Sequence, residues 1–252
     1  MKKFIALISV LMLVGLFVRD AEAQEKEELL YLKGEEVVKP EMIDQYYEVS
    51  KELADLCKAE NFPYSYSVWV SQPFHYALWY PIEEMNEIPK IEEAWDAIVE
   101  KFGADNFKRF EECIESQENK VMVDLMNLSY EPDTLMPDEE EMAFCHWQEI
   151  TVKKGSEKAL EELIKKAVGI MKEKGSELAT YIGKGKMGYE QPVYFAWYFG
   201  KDQIDYLEQE KKFAEMVGDE WKQINGEIVK HIKGIHNENM WWIKELSYQK
   251  EE

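Results

Sequence analysis

Tyr64-Ser65-Tyr66-Ser67-Val68-Trp69-Val70-Ser71-Gln72-Pro73-Phe74-His75-Tyr76-Ala77-Leu78-Trp79-Tyr80 is the stretch on which the fold turns. Tyr64, Tyr66, Val68 and Val70 alternate with Ser65, Ser67, Trp69 and Ser71, the two-residue period of a strand. Pro73 ends that run, and Phe74 to Tyr80 follows closely enough to pair with it as a hairpin. Upstream lie an extended stretch from Leu29 to Val38 and a helix over Ile43 to Ala59, with Tyr46, Val49, Leu53 and Leu56 on one stripe. Downstream of Pro89, Ile91, Ala94, Ile98 and Phe102 give helical spacing to a region running to Ser116, interrupted at Gly103. Strand character returns from Asn119 to Tyr130.

The order strand, helix, strand, strand, helix, strand then recurs. Its second copy comprises strand Phe144–Lys153, helix Ser156–Lys174, strands Glu177–Gly183 and Pro192–Phe199, helix Gln203–Ile235 and strand Asn239–Tyr248. Ser156 opens the first of these helices as a capping residue. Between the copies, Pro132, Asp133, Pro137, Asp138, Glu139, Glu140 and Glu141 mark a solvated connector. The expected division is a first unit over 24–131, an acidic linker over 132–142 and a second unit over 143–252. Short matches support duplication at a period of roughly 115 residues, above the solenoid range. Ala77-Leu78-Trp79-Tyr80 is echoed by Ala196-Trp197-Tyr198-Phe199, Asn127-Leu128-Ser129-Tyr130 by Glu245-Leu246-Ser247-Tyr248, and Gly103, Phe107 and Lys108 by Gly218, Trp221 and Lys222.

Each copy has the order of a split βαβ, ferredoxin-like unit: a four-stranded antiparallel sheet with its helices on one face. The other sheet face then needs cover. Aromatics occupy both phases of the strands, with Phe195 and Trp197 on one and Tyr194 and Tyr198 on the other, so two sheets can bury their free faces against each other. The expected class is therefore α+β, two tandem βαββαβ units forming a pseudo-dimeric α/β barrel.

The whole chain has 252 residues with 46% hydrophobic side chains, enough for a sizeable core. A formal charge of −21 and the lack of a basic patch argue against nucleic acid as a partner. Lys2 and Lys3, the apolar run Phe4 to Val18 and the small-residue stretch Ala21-Glu22-Ala23 read as a bacterial secretory signal over 1–23. That run is shorter than the roughly 20 residues of a membrane-spanning helix. No stable span is expected after its removal, and the expected location is the periplasm or the cell exterior. Cys57, Cys113 and Cys145 can form at most one bridge and lack zinc-site spacing.

With this element order and internal repeat, and with Glu149-Ile150-Thr151-Val152-Lys153-Lys154-Gly155 leading into Ser156, the chain resembles the dimeric α/β-barrel superfamily over 27–249. The strand-to-helix entry is similar to those of the EthD, NIPSNAP and antibiotic-biosynthesis-monooxygenase groups. The resemblance implies a fold more strongly than a reaction, because the superfamily includes cofactor-independent oxygenases, haem-binding enzymes, isomerases and proteins with no known activity.

Candidate chemistry rests on polar groups set among apolar strand residues. His75, in phase with Ala77 and Trp79, is the candidate catalytic base. Asp124, between Met122 and Met126, and Glu149, in phase with Trp147 and Thr151, are candidate carboxylates of a barrel interior. Trp69, Trp79, Trp147, Trp197 and Trp242 are the candidate aromatic walls of a ligand site, although bulky core filling is the plainer account of most of them. His231 and His236, read as helix-surface residues, are the candidate axial ligands should haem be bound. No metal site is expected, and Gly183-Lys184-Gly185-Lys186 reads as a turn between strands. The leading expectation is a binder of a small apolar or aromatic molecule. The alternatives are an oxygenase-like or haem-associated enzyme and a purely structural module.

Overall fold

The computed structural model describes residues 28–72, 74–132 and 142–250, so the leader reading and nearly all of the connector lie outside the described residues. The first unit runs β1 (Glu28–Val38), α1 (Ile43–Ala59), β2 (Ser67–Ser71), β3 (His75–Ile82), α2 (Ile88–Phe102), α3 (Ala104–Cys113) and β4 (Ile114–Leu125). The second runs β5 (Phe144–Val152), α4 (Glu157–Lys174), β6 (Tyr181–Met187), β7 (Val193–Gly200), α5 (Gln203–Ile228) and β8 (Ile232–Trp242). The strands close into one antiparallel barrel in the order β1-β3-β2-β8-β5-β7-β6-β4. Each unit contributes four neighbouring strands. The two seams are β2 on β8, with Trp69 opposite Trp242, and β4 on β6, with Asp124 opposite Gly183.

Helices cover the outside. On α1 the buried residues are Tyr46, Val49, Leu53, Ala54 and Cys57, a helical stripe laid on the first unit's sheet. Leu160, Ile164 and Met171 of α4 and Phe213 of α5 do the same for the second. Inward-facing residues form a third cluster between the sheets, including Trp147, Phe195, Trp197 and Met240.

Several sequence boundaries move, and each shift has a local cause. The helical region expected over 91–116 with an interruption at Gly103 is two helices, the second ending at Cys113, and Gly103 at φ 86° turns the chain between them as the interruption implied. β4 starts at Ile114 rather than Asn119, since the polar residues 116–120 pair with β1 despite lacking strand propensity. The helix expected to Ile235 ends at Ile228, and β8 begins at Ile232 through equally polar residues paired with β5. His236 is thus a strand residue, not a helix-surface one. Gly183-Lys184-Gly185-Lys186 lies within β6 rather than in a turn. Space explains its first glycine: a Cβ on Gly183 would lie 2.5 Å from Met122 Cε and 2.9 Å from the Trp197 ring. Ser156 sits at the start of α4 but makes no capping bond through its side chain. All three cysteines are buried and free.

The repeated Leu-Ser-Tyr segments perform one job twice. After each final strand the chain makes a short 3-10 turn, Met126–Leu128 or Lys244–Leu246. Ser129 Oγ then accepts from the Ile182 amide at 2.9 Å and donates to Leu125 O, while Ser247 Oγ accepts from the Val68 amide at 2.9 Å and donates to Ile243 O. Tyr130 bridges to Thr180 and Tyr248 to Tyr66. Each unit thereby latches onto an edge strand of the other. The echo between the third strands needs a one-residue correction: Trp79 and Trp197 both face the interior, whereas Tyr198 faces the helices, so Trp79 is equivalent to Trp197.

Candidate functional site

Strand alternation delivers rings to one end of the barrel interior. Trp69, Trp79, Trp147, Trp197 and Trp242 line a cavity of about 450 Å³ together with Tyr31, Tyr181 and Phe199. Trp147 is the hub, its ring centroid 5.3 Å from that of Trp79 and 5.3 Å from that of Trp197, which in turn stacks on Tyr181 at 5.8 Å. Across the β2–β8 seam Trp69 stacks on Trp242 at 6.4 Å. Such offset arrangements present ring faces and edges together to whatever enters. Without a side chain on Gly183, Trp197 can lie directly against β6.

Asp124 is the carboxylate of this mouth. It is 4% exposed, and burial pushes it up to about 6 even though the Ser129 hydroxyl, at 3.3 Å, favours its charged form. Burial, with Asp124 adding to it, likewise raises the Tyr31 phenol. Tyr181 donates to Glu131 at 3.4 Å on the same rim. The aromatic residues and Asp124 singled out from the sequence therefore meet in one cavity.

Two other sequence candidates do not. His75 is exposed at the hairpin end of β3, four residues and roughly 13 Å along the strand from Trp79, so it cannot act on a group held in the mouth. Glu149 shares the inward phase of Trp147 but lies further along β5, opposite Phe195 and His236, and is not among the residues of the mouth.

Sequence reasoning missed Lys33. It is 5% exposed, in phase with Tyr31 on β1, with Nζ 4.9 Å from the Trp79 ring centroid and 5.4 Å from that of Trp147. It pairs with Glu35, which also binds Lys120. Burial would raise Glu35, but the two ammonium groups outweigh it and hold the carboxyl below its ordinary value. The barrel interior thus divides into an aromatic mouth and a charged end, where Ser71 and Glu238 are also hydrogen-bonded.

None of the four histidines lines the mouth or the cavity described below on the helix side of the first unit. His146 faces the helices, bonded to Asn239 at 2.8 Å and stacked on Tyr206 at 4.9 Å. The residues present therefore offer haem no histidine ligand in either cavity, and no step through haem follows. Among the described residues no group of three or more His, Cys, Asp or Glu side chains is placed to hold a metal ion, and no helix is long and apolar enough to cross a membrane.

No family model and no curated protein matches the chain. Solved structures do. An anthrone oxidase-like protein superposes with a TM-score of 0.57 at 13% identity, covering 87% of this chain and 92% of its own. A monooxygenase-like protein from Lactobacillus acidophilus gives 0.51 at 7% identity over 86% of this chain and 94% of its own. A chlorite dismutase variant from Candidatus Nitrospira defluvii gives 0.51 at 7% identity over 86% and 92%. Closed barrel, strand order and these likenesses agree: the chain has an α+β fold, a closed eight-stranded antiparallel barrel built from two ferredoxin-like units in one polypeptide, similar to those structures.

Proposed function

We propose that the protein binds a small planar, largely apolar molecule in the aromatic mouth of the barrel. The observation that carries this reading is the convergence of five tryptophans from β2, β3, β5, β7 and β8 on one cavity of about 450 Å³ that holds a buried carboxyl. A packed interior would have left no such space. A cavity of this size suits a ligand of two or three fused rings, with few polar groups to fix its orientation. Asp124 supplies one of these and Lys33 closes the inner end. The test is a tryptophan-fluorescence titration with naphthol. Saturable quenching with a rise in melting temperature supports the reading. Quenching that persists unchanged in a Trp147→Leu, Trp197→Leu double variant contradicts it.

Asp124 favours a second reading, an oxygenase-like enzyme on the same cavity. A buried carboxyl raised to about 6, with Tyr31 and Tyr181 beside it, can when ionised take a proton from a bound phenol. The names of two fold neighbours, an anthrone oxidase-like protein and a monooxygenase-like protein, fit this reading. Oxygen uptake with a phenolic ligand, lost in Asp124→Asn while binding is retained, would support it.

Export through residues 1–23 is part of the same proposal, on the strength of their charged and apolar pattern. N-terminal sequencing of protein recovered from the cell envelope tests it. A start near Gln24 supports export, and retention of Met1 contradicts cleavage.

A further inference from the structure

A second cavity lies on the other face of the first unit's sheet, between that sheet and α1, α2 and α3, with a volume of about 430 Å³. Gly34 of β1 helps to form its floor. A Cβ there would meet only Asn119 Oδ1 at 3.5 Å and Leu78 Cβ at 3.8 Å, ordinary contacts, so the glycine leaves space rather than relieving strain. The walls are aromatic, with Tyr66, Tyr80, Trp95, Phe107 and Phe110.

Glu36 stands beside Gly34 and is 4% exposed. Its Oε2 accepts from the Tyr46 hydroxyl at 2.7 Å and its Oε1 from the Gln117 amide at 3.1 Å. Tyr76 and Tyr80 face it from β3, and none of these neighbours is a cation. The remaining charged groups of the cavity are Glu92 and Asp96 on α2 and Glu111 on α3, all exposed and all acidic. Arg109 of α3 is turned to the surface, 3.3 Å from Glu52.

We propose that this cleft is a second binding site, for a small organic cation with an apolar body, an aryl-alkyl amine by chemical class, whose ammonium pairs with Glu36. A buried carboxylate without a counter-charge is costly, and an entering ammonium removes that cost. Aromatic faces attract the same cation, and the outer carboxylates raise its local concentration. Anionic ligands meet only like charge here. In the empty cleft, burial pushes Glu36 up to about 7 against the opposing hydrogen bond from Tyr46. An incoming cation therefore displaces the Glu36 proton to the buffer, and binding strengthens as pH rises through that value. The inference is independent of the reading of the mouth.

The test is isothermal titration calorimetry of the full chain with phenethylamine, protonated throughout, and with phenethyl alcohol as its neutral counterpart. The amine should bind about tenfold more tightly at about pH 8 than at about pH 6, following the ionised fraction of Glu36. The alcohol should bind more weakly and without that dependence. Glu36→Gln keeps the side-chain volume and an acceptor for Tyr46, and should remove both the pH dependence and the preference for the amine. Gly34→Leu fills the cleft and should abolish binding of both probes, with Gly34→Val in its place if that variant fails to fold. Absence of amine binding, equal affinity for amine and alcohol, or amine binding unaltered by Glu36→Gln overturns the proposal.

Discussion

Lys33 Nζ lies 4.9 Å from the centroid of the Trp79 ring, inside a barrel where the lysine is 5% exposed. That contact is the boundary between the two ends of the interior. On one side the rings of Trp79 and Trp147 open into the mouth; on the other Glu35 is shared between Lys33 and Lys120. The ammonium is held here by one ion pair and two ring faces at once.

Lys33→Met keeps the length of the side chain and removes the charge. Glu35 retains Lys120, so the cost should fall below that of stranding a buried charge and come to about 1–3 kcal/mol. Urea denaturation measures it. A variant as stable as the parent would show that the ring contacts contribute nothing.

Gly183→Ala puts a methyl group 2.5 Å from Met122 Cε and 2.9 Å from the Trp197 ring. Overpacking of this kind costs about 1–3 kcal/mol, and Trp197 has to move. The variant should unfold at a lower temperature and bind naphthol more weakly than the parent. Gly34→Ala, where the new Cβ meets only ordinary contacts, is the matched control and should be nearly neutral.

The two serine latches should behave alike. Ser247→Ala strands the Val68 amide and the Trp242 indole N–H, which both donate to its hydroxyl, and Ser129→Ala strands the Ile182 amide. Each should lower stability by about 1–3 kcal/mol, the cost of a buried donor without a partner. Hydrogen exchange at Val68 and Ile182 locates the effect, and protection unchanged at those amides would refute the latch.

Glu36 sets a pH dependence whose sign follows from its raised value. The native state holds a proton that the unfolded chain releases, because the group sits at about 7 instead of 4.5. Its contribution is complete below the unfolded value and is lost as pH rises through the folded one, a span of up to about 3 kcal/mol. Glu36→Gln carries no such proton. Its stability relative to the parent should therefore improve steadily between the two values and level off above them, as read from urea midpoints at a series of pH values. Asp124, raised by burial from 3.8 to about 6, adds a slope of the same sign to both proteins and cancels in the comparison.

Where side-chain periodicity reflects burial, the sequence was readable. The helix over Ile43–Ala59 has the expected bounds, because its apolar spacing and its packed face coincide. Trp147, Trp197 and Trp242 line the mouth, but phase alone left their direction open, because aromatics occupy both phases of the strands. The polar parts of β4 and β8 were not readable, since residues such as Gln117, Glu118, Asn237 and Glu238 are strand only because β1 and β5 pair with them. Lys33 and Glu36 were missed for a related reason. A charged residue in a strand reads as solvent-facing, and here two charges three residues apart on β1 are buried on opposite faces, one by tryptophans and one by the helices. Their available signal was the run from Tyr31 to Val38, in which Leu32, Val37 and Val38 leave no wholly polar phase.

The most direct measurement is the set of tryptophan indole signals in a proton–nitrogen correlation spectrum, recorded during a naphthol titration. The eight tryptophans divide cleanly, with Trp69, Trp79, Trp147, Trp197 and Trp242 in the mouth, Trp95 in the helix-side cleft, and Trp221 and Trp241 in neither cavity. Saturable shifts confined to the five mouth signals are the predicted result. Shifts centred on Trp95, or no shifts at all, would contradict the assignment of the mouth as the ligand site.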